Sequence, residues 1–321
     1  MSAATHDHHQ TNQSRTGEAL SGVFPIAPTP FHEDESIDFE SQARVIEFLI
    51  DARVDGICIL ANYAEQFALT DAERAQLQTA ILKQVAGRVP VIVTTSHYST
   101  KIAAERSRRA QEEGAAMVML MPPYHGATLR AQESALGDYF ATIADAIDIP
   151  LMIQDAPMSG TPLSAEALAR FAREIPGVQY VKVESANAAA KIRTLVDLAG
   201  DALPGPFDGE ESITLIPDLE AGATGTMPSS AIPDVLGDIV RDWLAGNHEQ
   251  ATATWEQWLP MIHYENRQCN LRATKVLMKE GGIIASDTTR APFGDLPAQL
   301  REGIIAHAKR RDAMILRWAK A

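Results

Sequence analysis

Short runs of β-branched and apolar residues alternate along most of this chain with longer segments whose apolar positions recur every three or four residues. The short runs fall at 23–27, 56–60, 89–94, 117–121, 151–154, 178–183, 203–207 and 222–227, and their composition predicts strands. The longer segments, at 41–52, 71–85, 100–113, 131–146, 165–174, 188–198, 211–220 and 232–244, predict helices that pack by one face. Two carry start signals: Thr70-Asp71-Ala72-Glu73 resembles a capping box, and Ser164 stands where it can cap a helix from Ala165. A strand followed by a helix, eight times over, points to parallel strands joined by crossovers. The expected fold is therefore α/β, a (β/α)8 TIM barrel over 19–246, a size close to the usual barrel of about 250 residues. A doubly wound open sheet is the competing arrangement, but no GxGxxG turn follows the first strand run. After Gly246 the alternation stops, and periodicity at 248–262, 266–279 and 296–318 predicts a carboxyl-terminal helical region over 247–321. Residues 1–18 are polar without periodicity and read as a disordered tail.

Charge narrows the partners. A formal net charge of -14 disfavours nucleic acid and anionic membrane surfaces, which leaves small molecules and further copies of the chain. The chain's two cysteines, Cys58 and Cys269, show no CxxC spacing, so neither a disulfide framework nor a structural zinc site is expected. Cys58 sits in an apolar run and reads as a packed small hydrophobe. No apolar stretch reaches membrane-spanning length and no basic–apolar leader is seen, so a cytoplasmic location is expected. His6, His8 and His9 lie in the polar tail without a fixed second shell, and no phosphate-binding loop or trusted metal-ligand spacing occurs elsewhere. Neither a cofactor nor a metal is expected.

Lys182 is the residue with the most to say about chemistry. It lies in Val178-Gln179-Tyr180-Val181-Lys182-Val183-Glu184, where strand alternation puts Tyr180, Lys182 and Glu184 on one side. A lysine aimed into an interior loses hydration, which lowers its pKa and favours the neutral amine that attacks carbonyls. The alternative is a buried Lys182–Glu184 ion pair that only supports the fold. Strand ends are where a barrel gathers its chemistry. The clusters there are Asn62 and Tyr63 after the second run, His97 and Tyr98 after the third, Tyr124 and His125 after the fourth, Gln154 at the end of the fifth, and Asp208-Gly209-Glu210-Glu211 after the seventh.

Three strings carry a resemblance to a known family. They are Val23-Phe24-Pro25-Ile26-Ala27-Pro28-Thr29-Pro30-Phe31, the lysine strand, and Gly222-Ala223-Thr224-Gly225-Thr226-Met227. In that order they resemble the dihydrodipicolinate synthase and N-acetylneuraminate lyase family of class I aldolase-like barrels. The resemblance implies that Lys182 forms an imine with the C2 carbonyl of a 2-oxo acid. It also implies that the loop after the second strand holds the carboxylate, where this chain has Ala61-Asn62-Tyr63-Ala64-Glu65 in place of the family's Gly-Thr-Thr-Gly-Glu. Backbone N–H groups of Asn62 and Tyr63 suit that task whatever the side chains.

One departure matters more. Members that make or break carbon–carbon bonds place a tyrosine at the end of the fifth strand as a proton relay, where this chain reads Gln154-Asp155-Ala156-Pro157. A carboxamide does not titrate, so Gln154 can orient a hydroxyl but not deprotonate it. The strings Thr94-Thr95-Ser96-His97-Tyr98-Ser99, Met121-Pro122-Pro123-Tyr124-His125-Gly126 and His263-Tyr264-Glu265-Asn266-Arg267-Gln268 are similar to those of the branch that dehydrates 2-keto-3-deoxy sugar acids. Glu184, on the same strand face as Lys182, is the expected group to move protons; the resemblance sets Tyr124 at the active-site edge, His97 or Tyr98 is expected to contact distal hydroxyls, and Gly209 and Gly225 to let backbone approach substrate or neighbouring strands. The resemblance also implies a homotetramer. An aldolase of the same family, a keto-deoxyglucarate dehydratase and a non-catalytic sugar-acid sensor remain as alternatives.

Overall fold

A computed structural model describes residues 19–123 and 131–320. The segment 1–18, expected as a tail, and Tyr124, His125 and Gly126 lie outside the described residues. Eight parallel strands surround one axis: β1 (Gly22–Val23), β2 (Ile57–Ile59), β3 (Val91–Thr94), β4 (Met117–Leu120), β5 (Leu151–Asp155), β6 (Val178–Val183), β7 (Gly205–Asp208) and β8 (Gly225–Thr226). They pair in the order β1-β8-β7-β6-β5-β4-β3-β2. The two ends of that series meet, because Ala27 N–H donates to Cys58 O at 2.9 Å and Cys58 N–H to Pro25 O at 3.0 Å. The sheet is therefore closed, and no strand edge is left over.

Strand alternation sorts the side chains into two cores. Phe24, Cys58, Met117, Met152, Tyr180 and Phe207 fill the barrel interior, while Val91, Val93, Val118, Leu120, Ile153 and Val181 face the helices. Cys58 is thus a packed hydrophobe, and burial pushes its thiol up to about 12. Lys182 follows Tyr180 on the inward face, one layer nearer the carboxyl end of the barrel, and pairs in register with Gln154 of β5.

The surrounding helices are α1 (Phe39–Asp51), α2 (Asp71–Val85), α3 (Thr100–Glu112), α4 (Glu133–Ala144), α5 (Ala165–Glu174), α6 (Ala188–Ala199), α7 (Leu215–Glu220) and α8 (Pro233–Leu244). Local signals set two of their starts. Glu73 N–H donates to Thr70 Oγ1 at 3.2 Å while Thr70 N–H donates to Glu73 Oε2 at 2.8 Å, a complete capping box. Ala167 N–H donates to Ser164 Oγ at 3.1 Å.

Two expectations need correction. The periodicity at 211–220 predicts a helix from Glu211, yet α7 begins only at Leu215, and Glu211 and Ser212 take left-handed φ values of 54° and 66°. The buried Asp208 carboxylate draws the Glu210 and Ser212 N–H groups to itself, so helical hydrogen bonding starts later. The second correction is at 263–266, where α9 (His248–Tyr264) runs on into a π-helical turn, Glu265–Cys269, before α10 (Arg272–Gly281). Such widened turns accommodate an extra residue, and here the insertion presents Glu265 to the barrel.

After α8 come α9, α10 and α11 (Ala298–Arg310), and Asn270, Leu271 and Phe293 from the segments between them reach the barrel mouth. Lys275 of α10 forms a buried ion pair with Glu65, the two side chains being 1% and 0% exposed. Burial lowers the Lys275 pKa, and Glu65 acts against that shift. Arg290 N–H also donates to Glu65, at 2.9 Å, and its guanidinium pairs with Glu73 while lying 4.5 Å from the Phe31 ring centre. The carboxyl-terminal region is tied in this way to the turn after β2.

Candidate active site

Lys182 Nζ lies 2.9 Å from Glu184 Oε1, and Gln154 Nε2 donates to the same oxygen at 2.6 Å. The β5–β6 register causes this convergence: Gln154 and Lys182 are paired neighbours, and Glu184 N–H donates to Asp155 O at 3.1 Å, which keeps the chain end of β6 against β5. Gln154 Oε1 is buried and has no donor among the described residues. It is therefore available to a ligand hydroxyl.

A cavity of about 330 Å³ opens over these groups, lined at its base by Asn62, Tyr63, Gln154, Lys182, Glu184 and Glu211. Phe67, Met158 and Phe293 form an apolar rim. Asn62 and Tyr63 belong to a 3-10 turn, Asn62–Ala64. Their N–H groups, at the start of that turn, have no backbone acceptor among the described residues, whereas Ala64 and Glu65 N–H donate to Ala61 O and Asn62 O. The Asn62 side chain is engaged elsewhere, accepting from Gln66 Nε2 at 2.6 Å. A carboxylate at this turn would meet backbone donors.

The charge state of Lys182 differs from the sequence expectation. Burial acts to lower its pKa, as foreseen, but the Glu184 and then the Glu211 carboxyls act the other way and prevail. The amine is held above its ordinary value and rests as an ammonium paired with Glu184. Nucleophilic attack then requires passing a proton to that neighbour, 2.9 Å away.

Glu211 falls in the strand-end cluster after the seventh run, but sequence reasoning gives it no role at the site. It lines the cavity with Lys182 and Glu184, and its Oε2 accepts from Ser229 N–H at 2.7 Å. Burial raises its pKa well above the ordinary carboxylate value; Lys182 opposes this, and Glu265, Glu184 and Asp208 add to it. Burial thus favours the protonated form, the one that can donate. Glu265 stands behind it, accepting from Ser229 Oγ, and burial pushes its carboxyl up to about 7. The Tyr63 phenol is raised by burial and by the acidic groups around it, and stays protonated.

The remaining expected residues divide. His97 and Tyr98 line a second cavity of about 260 Å³, together with Arg74, Arg106, Met121 and Pro122, across the 3-10 turns Asn62–Ala64 and Gln66–Ala68 from the first. His97 has its pKa lowered by burial and by Arg106. Gly225 sits in β8, where a Cβ would fall 2.4 Å from Gly22 O. Gly209 lies directly behind the reactive pair: a Cβ there would be 2.5 Å from Glu184 Cγ and 2.9 Å from Lys182 Cγ. Gly209→Ala is expected to displace Glu184, lower turnover at least tenfold, and cost about 1–3 kcal/mol of stability. Steady-state kinetics and thermal unfolding of that variant check both effects.

These groups make an imine-forming chemistry possible. Residues 19–310 match the model of the dihydrodipicolinate synthetase family. The chain belongs to that family. It is 54% identical over 298 residues to an L-2-keto-3-deoxyarabonate dehydratase from Azospirillum brasilense, covering 93% of this chain and 96% of that protein. It is 30% identical to a 4-hydroxy-tetrahydrodipicolinate synthase from Thermomicrobium roseum, covering 89% and 93%. The crystal structure of dihydrodipicolinate synthase from Rhodopseudomonas palustris superposes with a TM-score of 0.82 at 29% identity, covering 90% of this chain and 97% of that one. Membership in the dihydrodipicolinate synthetase family accounts for the barrel and its carboxyl-terminal helices. Among the described residues no helix is long and apolar enough to cross a membrane, and no three metal-ligating side chains are grouped.

Proposed function

We propose that this enzyme is a Schiff-base dehydratase that converts L-2-keto-3-deoxyarabonate to 2-oxoglutarate semialdehyde and water. The observation that carries the reading is Gln154: the lysine and its carboxylate meet a carboxamide where aldol chemistry needs a titrating phenol. The 54% identity to a dehydratase of that substrate points the same way.

The residues divide the work as follows. Substrate binds with its carboxylate at the Asn62–Ala64 turn and its C2 carbonyl over Lys182. Glu184 accepts the Lys182 proton, the free amine adds to C2, and Glu184 delivers that proton and then a second one, taken from the added nitrogen, to the C2 oxygen, which leaves as water. The iminium so formed is an electron sink for the C3–H bond. Glu184 takes that proton to give an enamine, whose electron pair expels the C4 hydroxyl as Glu211 protonates it. The C3=C4 product is an allylic alcohol through its C5 carbon; a hydrogen shift converts it to the aldehyde, and water releases it from Lys182. Gln154 Oε1 holds a substrate hydroxyl without altering its protonation. His97 and Tyr98 serve the substrate side from the second cavity, and Tyr124 is assigned there on the resemblance alone.

We place the reaction in pentose catabolism in the cytoplasm, carried out by a homotetramer, on the strength of the resemblance. A panel of 2-keto-3-deoxy pentonates and hexonates, assayed for semialdehyde, tests the substrate. Semialdehyde from the L-pentonate is the expected result. Release of pyruvate with an aldehyde would make the enzyme an aldolase, and carbon dioxide from a keto-deoxyglucarate would move it to the six-carbon branch.

A further inference from the structure

Glu211 and Ser212 are successive non-glycine residues in the left-handed region, with φ of 54° and 66°, a conformation that L-residues disfavour. The structure shows what imposes it. Asp208, the last residue of β7 and fully buried, accepts from Glu210 N–H through Oδ1 at 3.0 Å and from Ser212 N–H through Oδ2 at 3.0 Å. Thr226 Oγ1 of β8 donates to that same Oδ2. The two backbone donors straddle Glu211. Ser212 is further fixed by Thr226 Oγ1 at 3.0 Å and by Trp255 Nε1, which donates to its carbonyl at 2.9 Å.

Behind Asp208 lies Asp218 of α7, equally buried and in hydrogen-bond contact with it. Two carboxylates in contact away from water repel, so one keeps a proton. Asp208 already receives three donors. Asp218 takes Thr214 Oγ1 on Oδ2 at 2.7 Å, and its Oδ1 has no donor among the described residues. Burial raises both carboxyls, and Asp218, with the Asp208 charge adding to burial, goes up to about 8, which places the shared proton on Asp218 Oδ1, directed at Asp208.

We propose that Asp208, backed by the buried Asp218 carboxyl, is a positioning residue that clamps the left-handed turn and so aims the Glu211 carboxyl at the leaving hydroxyl. This rests on the role given to Glu211 above. Asp208 touches no substrate, and its effect passes through the backbone of 210–212. An asparagine at 208 would turn an NH2 group on donors that need an acceptor.

The full-length enzyme tests this with three variants. Asp208→Asn is expected to lower kcat about 100-fold with KM within about threefold, the scale on which a misplaced group loses rate without losing binding. Asp218→Asn keeps a donor facing Asp208 and is expected to stay within about threefold of the unaltered kcat, whereas Asp218→Leu should fall about 100-fold. Borohydride with pyruvate should trap an adduct on Lys182 equally in all three, because the imine needs only Lys182 and Glu184. An Asp208→Asn enzyme with unaltered kcat overturns the proposal, as does equal turnover in the two Asp218 variants; the latter comparison serves if Asp208→Asn does not fold. Failure of the wider reading has another signature: no pyruvate adduct in the unaltered enzyme, or full turnover in Glu211→Gln.

Discussion

Lys182→Ala folds, binds 2-oxo acids weakly, and loses dehydration by more than about 1,000-fold, because removing a nucleophile leaves only binding and electrostatics to act. Borohydride with pyruvate should leave a mass increment on the unaltered chain and none on this variant. The fold should survive because the change leaves no isolated buried charge: the Glu184 side chain is 16% exposed towards the cavity and keeps its hydrogen bond from Gln154. A Lys182→Ala protein with normal turnover would remove the imine from the mechanism altogether.

Glu211→Gln separates imine formation from water loss. The amide preserves shape and can still accept from Ser229 N–H, but it cannot give a proton to the C4 oxygen. Turnover is expected to fall about 100- to 10,000-fold, the usual span for a positioned acid, while pyruvate trapping on Lys182 stays intact. Stability should respond in a different direction. The folded Glu211 carboxyl binds its proton more tightly than the unfolded one, so folding takes up a proton and this stabilisation is complete only below the ordinary value of 4.5. It is lost as pH rises from there through the raised folded pKa. Glutamine carries no such penalty. Thermal unfolding should therefore show Glu211→Gln gaining on the unaltered protein as pH increases; a constant difference would mean that folding leaves the Glu211 pKa unshifted.

How far the sequence discloses this site follows from which interactions are local. The barrel, the placement of Lys182 and Glu184 on one strand face, and the starts of α2 and α5 depend on alternation and on contacts within a few residues, and all are legible. Gln154 is legible too, since a single residue type settles whether the position can titrate. Glu211 is not. Two glutamates opening a periodic segment are what a helix start ordinarily contains, and only Asp208, backed by Thr226 from another strand, shows that the backbone turns the other way. The charge on Lys182 is hidden for a similar reason: its burial can be read from the strand, but the sum of the carboxyls around it cannot. His97 and Tyr98 illustrate the limit of strand-end logic, which finds the correct end of the barrel without resolving two adjoining cavities.

The buried Glu65–Lys275 pair has a practical meaning for anyone altering this protein. Because Glu65 closes the turn that starts with Asn62 and also receives Arg290 N–H, the roof and floor of the reaction chamber are fastened at one point. Trimming the chain back past Arg290 would unlatch the oxo-acid cradle itself, so a shortened version would be a poor stand-in for the whole even if its eight strands still assembled.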